Sequence, residues 1–243
     1  MASSGLAGPG GGASIGRMCN LHSNMTTQQA MRQLFDVAAE LDGLGNFAPL
    51  PAIYPRYSAP VVRPGEGGRR ELVSMHWGFL LPQVSKKTGK PIMPKAVNNA
   101  RDDKVRSSSF WRASFEERRC LIPGTSFCEA KGRNPATYYW FGMDADDPEA
   151  RPPFAFAGMW RGFRGEYRGE MVEIATHTMI TTTPNELVKP VHPDRMPVIL
   201  DPEDYETWLT GSSDEAAQLM RPFPAEKMRI VRQGEGVKED PAG

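Results

Sequence analysis

The chain alternates between short apolar runs and polar breaks, and few of its apolar stripes last more than two turns of helix. Met31, Leu34, Phe35, Ala38 and Leu41 recur at helical spacing, behind Thr26 as a cap with Gln29 as its capping-box partner, and ahead of Gly43 and Gly45. Asn46 to Pro64 is broken by prolines, which rule out a helix and disfavour a central strand. Runs rich in aromatic and β-branched residues predict strands at Glu71–Trp77, Arg119–Pro123, Thr137–Met143, Phe154–Trp160, Val172–Thr181 and Pro197–Leu200. A short helix is expected over Ser107–Glu117. Another follows Asp201-Pro202-Glu203, with Tyr205, Trp208 and Leu209 facing inward. A third runs from Ser213 to Met220, and Met228–Val231 reads as a closing strand. Gly65 to Gly68 reads as a turn, and no internal repeat is visible. The pattern predicts an α+β fold in a single domain, with a mostly antiparallel, barrel-like β core and peripheral helices.

Composition adjusts this picture at the ends. Ala2 to Gly16 are Gly-, Ala- and Ser-rich and carry too little apolar surface to fold. Residues 1–17 are therefore expected to be a disordered or mis-assigned extension, 18–234 the folded domain and 235–243 a flexible tail. The formal net charge is +0, so bulk charge gives no support for nucleic-acid binding, although a local basic groove would suffice. With 3 cysteines a disulfide framework is disfavoured and a reducing, cytoplasmic setting expected. Cys19-x2-His22 and Cys120-x7-Cys128 do not pair into a zinc spacing, so no metal or other cofactor is expected. No apolar run approaches a membrane span.

Four residues carry candidate chemistry. Cys19 follows a methionine; if Met18 is an initiator, its removal leaves a 1,2-aminothiol, whereas an internal Cys19 is an ordinary buried thiol. Glu129, flanked by Phe127 and Cys128, is either an acid–base group with a raised pKa or a strand-end carboxylate. His192 sits between prolines on a rigid loop, either catalytic or merely solvated. Asn99 and Arg101 belong to a polar cluster that suits either orientation of an amine and a phosphate or a plain turn.

The order of the motifs is more specific than any one of them. Met18-Cys19-Asn20 is followed by Trp77-Gly78-Phe79-Leu80-Leu81-Pro82, Asn99-Ala100-Arg101, and Arg119-Cys120-Leu121-Ile122-Pro123 leading to Phe127-Cys128-Glu129. Then come Phe156-Ala157-Gly158-Met159-Trp160, Thr181-Thr182-Thr183-Pro184-Asn185, and His192-Pro193-Asp194-Arg195-Met196-Pro197. This series resembles the SRAP family (SOS response-associated peptidase) over about residues 18–234, in its Met-Cys-Asn-Leu branch. The resemblance implies a DNA-damage protein, a monomer associated with the nucleoid, that binds single-stranded DNA containing an abasic site and cross-links to it as a thiazolidine through an N-terminal cysteine.

Carried over, Cys19 is the nucleophile and Asn99 orients its amine or the sugar. Glu129 is the general acid–base and His192 assists ring opening and proton transfer. Arg101 holds a flanking phosphate and Trp77 stacks on a base or sugar. Apart from the resemblance, the basic run Arg101, Lys104, Arg106, Arg112, Arg118 and Arg119 is expected either to contact DNA or to be solvated surface. The sequence departs from the common pattern at Asn20-Leu21, where Gly-Arg is frequent, at Ala130, where Trp is frequent, and at Pro193, inserted after His192. The competing reading is a cysteine peptidase or hydrolase using Cys19 with His192 and Glu129, limited to self-cleavage ahead of Cys19 or acting on other substrates.

Overall fold

The computed structural model describes residues 19–242. The expectations for residues 1–17 and for Met18 lie outside the described residues.

The chain begins with strand β1 (His22–Asn24), helix α1 (Gln28–Phe35), β2 (Leu50–Ile53), β3 (Ser58–Pro64) and β4 (Arg70–Trp77). A projecting hairpin, β5 (Phe79–Val84) and β6 (Pro91–Val97), leads to β7 (Asn99–Arg101). Helices α2 (Asp102–Val105) and α3 (Arg112–Glu117) precede β8 (Arg119–Gly124), β9 (Ser126–Gly132) and β10 (Ala136–Met143). The long pair β11 (Phe154–Tyr167) and β12 (Glu170–Thr182) turns at Arg168-Gly169. The chain closes with β13 (Met196–Pro197), β14 (Ile199–Leu200), α4 (Tyr205–Thr210), α5 (Ser213–Gln218) and β15 (Met228–Glu235). Among the described residues no helix is long and apolar enough to cross a membrane.

The larger sheet runs β12-β4-β3-β8-β11, and β11 pairs again with β12, so these strands close into a barrel. The α+β, mostly antiparallel and barrel-like architecture is thus present. Side chains alternate across the barrel wall. Val62, Leu72, Leu121, Ala157 and Ile180 pack with Phe35, Phe115 and Trp208 from the helices. Their neighbours Val61, Met75, Cys120, Ile122, Phe156 and Met179 pack with Cys19, Phe127 and Phe141 from the second sheet, β15-β10-β9-β1-β2. The polar turn at Arg168 and Gly169 has φ of 54° and 86°, the two left-handed residues of a two-residue hairpin.

Three expectations are corrected. The first helix is capped by the Thr27 side chain, which accepts from Ala30 N, and it stops at Phe35 with Asp36 left-handed. Leu41 still packs on the same cluster as Phe35, but from a single 3-10 turn, Ala39–Leu41, so two segments satisfy one periodic stripe. The Pro-rich stretch contains a central strand: β3 lies between β4 and β8. Its pairing with β8 is confined to Val62↔Leu121, which leaves Pro60 and Pro64 few ladder bonds to remove.

The third correction is the tail. Val237 accepts from the Trp140 indole at 2.9 Å, and Asp240 N donates to Pro51 O at 2.9 Å. The segment after β15 therefore crosses its own sheet from one edge strand to the other. The Asp240 carboxylate is fully buried, where it accepts from Arg151 Nε at 2.9 Å and from Ser126 Oγ at 2.7 Å. Ser126 and Thr125 hydroxyls in turn meet Ser23 Oγ at 2.8 and 2.9 Å. A hydroxyl–carboxylate chain thus joins β1, β9 and the tail.

Candidate active site

One interrupted strand builds the site. The end of β4 and the whole of β7 both run parallel to β12, with His76-Trp77 opposite Thr176-His177 and Asn99–Arg101 opposite Met179–Thr181. The β5–β6 hairpin is an excursion at the break. Gly78 N donates to His177 O at 2.8 Å and Met179 N to Asn98 O at 3.1 Å, so the two stems are pinned side by side. Gly78 has φ +115°, and a Cβ there would lie 2.8 Å from that of Ala96, so only glycine fits the crossing. This puts Asn98 and Asn99 beside β1.

Cys19 is buried against that pair. Asn99 Nδ2 donates to Cys19 O at 2.7 Å. Asn98 Nδ2 donates to Asn20 Oδ1 at 2.7 Å and lies 3.4 Å from Cys19 O. The asparagines therefore hold the carbonyl of Cys19, whereas the sequence suggested a role toward the amine or the sugar. The thiol turns back over β1, reaching Leu21 O at 3.6 Å and Cys128 O at 4.0 Å. Burial, and after it the Glu129 carboxyl, push the thiol well above its ordinary range, so it is neutral at neutral pH.

Glu129 is 4 % exposed, and burial raises its carboxyl well above the ordinary carboxylate range. Burial therefore favours its protonated form. Its Oε1 and the Oδ1 of Asn99 are buried and have no hydrogen-bond partner among the described residues. A buried, unpaired acceptor is costly, and these two belong to residues that meet around Cys19.

Cys19, Asn99 and Glu129 are thus brought together from three distant parts of the chain. His192 is also buried; its Nδ1 accepts from Arg195 N at 3.1 Å, which leaves Nε2 as the nitrogen that can donate. It is tied to the group through scaffold: Arg195 bridges to Asp102 at 2.5 Å and also donates to Thr181 O. Asn98, which ties the Asn20 side chain to the site, and Arg195, the brace of the His192 loop, had no assigned role in the sequence. Asn98 adjoins Asn99 in the same polar cluster, but nothing in the sequence distinguished its part.

The expected DNA contacts fare unevenly. Trp77 is fully buried, donates its indole N–H to Asn98 O at 2.9 Å, and is flanked by His22 and His177. It offers no face to a base; it is a support beneath the asparagines. Arg119 is buried too. It donates to Trp208 O, Phe115 O and Gly211 O, satisfying carbonyls at the ends of α3 and α4. Arg101 pairs with Asp103 at 2.9 Å, Arg106 with Asp214 at 2.5 Å and Arg118 with Glu117 at 2.7 Å, all on the surface. Lys104 is exposed and forms no ion pair among the described residues.

The family model for SRAP, described as "SOS response associated peptidase", matches residues 18–239. The chain belongs to the SRAP family. The abasic site processing protein YoqW of Bacillus subtilis (strain 168) is 30% identical over 207 residues, covering 82% of this chain and 87% of that one. YobE, an abasic site processing protein of the same strain, is 30% identical over 209 residues, covering 82% and 89%. A solved structure from Bordetella bronchiseptica superposes with a TM-score of 0.66 at 23% identity, covering 89% of this chain and 99% of the other, which supports the shared fold.

Proposed function

We propose that this SRAP protein processes abasic sites in single-stranded DNA and captures the lesion covalently through Cys19. The observation that carries the reading is the meeting of the buried Cys19 thiol with the buried Glu129 carboxyl, beside a Cys19 backbone clamped at its carbonyl by Asn99; burial pushes both groups toward their uncharged forms. The amine and thiol of a terminal cysteine react at one carbon. The amine adds to the aldehyde of the ring-opened sugar, Glu129 supplies the proton that lets water leave, and an imine results. The thiol then adds to the imine carbon, and its proton passes to the ring nitrogen, closing a five-membered thiazolidine. The net change is loss of one water, with no oxidant or reductant. His192, whose Nε2 can donate, is the candidate to assist sugar ring opening.

The likeness to relatives named for abasic site processing supports the same reading. A thiolate hydrolase is less well supported, because burial and Glu129 both disfavour the thiolate that such an enzyme uses.

The test is incubation of protein beginning at Cys19 with a single-stranded abasic oligonucleotide, followed by a denaturing gel and intact mass. A heat-stable adduct lighter by one water than the sum of its parts is expected. No adduct, or an undiminished one with Cys19→Ser, overturns the proposal.

A further inference from the structure

The formal net charge of the chain is +0, yet one segment is strongly cationic. Between Phe79 and Val97 there are 4 lysines, Lys86, Lys87, Lys90 and Lys95, and neither aspartate nor glutamate. All four are exposed and none forms an ion pair among the described residues. The arginines of the basic run after β7 are, by contrast, largely paired or buried.

These lysines lie on the β5–β6 hairpin, whose two strands pair only with each other. Its base is braced: Leu80 and Ala96 pack with Phe163, Tyr167, Val172 and Ile174 of the β11–β12 pair. Arg56 Nη2 also donates to Pro94 O at 3.0 Å. Its outer half is unbraced, with Val84, Ile92 and Met93 more than half exposed. Across a cleft from it stand Arg164 and Arg168, with Glu166 the only acid lining that cleft among the described residues. Both stems of the hairpin are rooted in the site, one at Trp77 and the other at Asn98 and Asn99.

We propose that this hairpin is the arm that grips the phosphate backbone of the DNA flanking the candidate active site. The inference rests on the proposed reading that the ligand is DNA. Lys86, Lys87 and Lys90 cluster at the tip between the two strands and Lys95 lies in β6; strands of six or seven residues set that tip about 20 Å from the root, the span of roughly six nucleotides of a stacked strand. The lysines supply point charges with no fixed geometry, suited to a backbone of any sequence. The exposed apolar residues among them suit contact with sugars or unstacked bases. The plainer account of such lysines is protection of open ribbon edges against self-association.

The experiment measures binding of the full chain to a labelled, undamaged oligothymidylate over a range of salt. Neutralising a phosphate contact lowers the slope of log K against log salt by about 0.7 on a single strand. The variant Lys86→Gln/Lys87→Gln/Lys90→Gln/Lys95→Gln should therefore lose about 2 to 3 units of slope while melting at the parent temperature. An unchanged slope overturns the inference, whether the variant self-associates instead or instead loses affinity for phosphatidylglycerol vesicles. If the slope falls but no adduct forms with abasic DNA, the inference stands and the proposed function fails. If the adduct forms and the slope does not move, the inference alone fails.

Discussion

The pocket around Cys19 and the β5–β6 hairpin share a root and have opposite physical character. The group around Cys19 is buried, a thiol and a carboxyl that desolvation pushes toward their uncharged forms. The hairpin is exposed and carries four lysines without partners among the described residues. A low-dielectric pocket sharpens proton transfer, because each charge that develops is poorly screened, but it attracts a polyanion weakly. An exposed cationic ribbon attracts well and is selective for nothing. Joining them at Trp77 and Asn98 lets capture and chemistry be tuned by different residues.

The comparison breaks most visibly at the pocket. Blocking the α-amine of Cys19, as an attached extension does, should abolish the heat-stable adduct while noncovalent binding to undamaged DNA stays within twofold. Intact mass and a salt titration of the same samples check both halves. Glu129→Gln should slow adduct formation by about 100-fold, within the usual range for a general acid. In the parent the rate should decline as pH rises through the raised Glu129 pKa, because the acid form is then lost; the glutamine variant should lack that limb in a pH–rate profile.

Stability gives the next effects. Asp240→Ala strands the buried Arg151 guanidinium, and urea denaturation should show a loss of about 3–5 kcal/mol. His22 and His177 are buried beside Trp77, and burial lowers both to about 3. The unfolded chain therefore binds protons that the folded chain refuses, and stability falls as pH drops from about 6.5 toward 3. At pH 5.5 each ring costs about 1.4 kcal/mol, and His177→Phe should flatten the acid limb of the melting curve by that amount. Smallest of all, Arg106→Ala should change stability by less than about 1 kcal/mol, since its pair with Asp214 is exposed.

Much of the barrel was legible because its strands β4, β8, β11 and β12 are apolar on alternate or on both faces, as is β10 of the second sheet. What escaped was polar or broken. β5 and β6 hold Pro82, Pro91, Pro94 and Lys95 and are joined by a lysine-bearing turn, so no apolar period survives. β1 and β7 are three residues each and owe their extended form to neighbours rather than to their own side chains. At the site, the ordered motifs singled out Cys19, Asn99 and Glu129, and these do meet. Trp77 and Arg119 were misplaced for a common reason: aromatic and cationic side chains suit a nucleic acid and a polar corner of a core equally well, and only burial separates the two. Proline spacing likewise hid β3, because a strand with one short ladder tolerates residues that a fully paired one does not.

The strap that follows β15 has a mechanical consequence. Asp240 joins Ser126, and through it Ser23, so the strands β1 and β9 that frame Cys19 and Glu129 are braced by a segment far from them in sequence. Loosening that brace shifts the thiol and the carboxyl relative to each other, so damage at Asp240 is felt at the site as misalignment rather than as a lost contact.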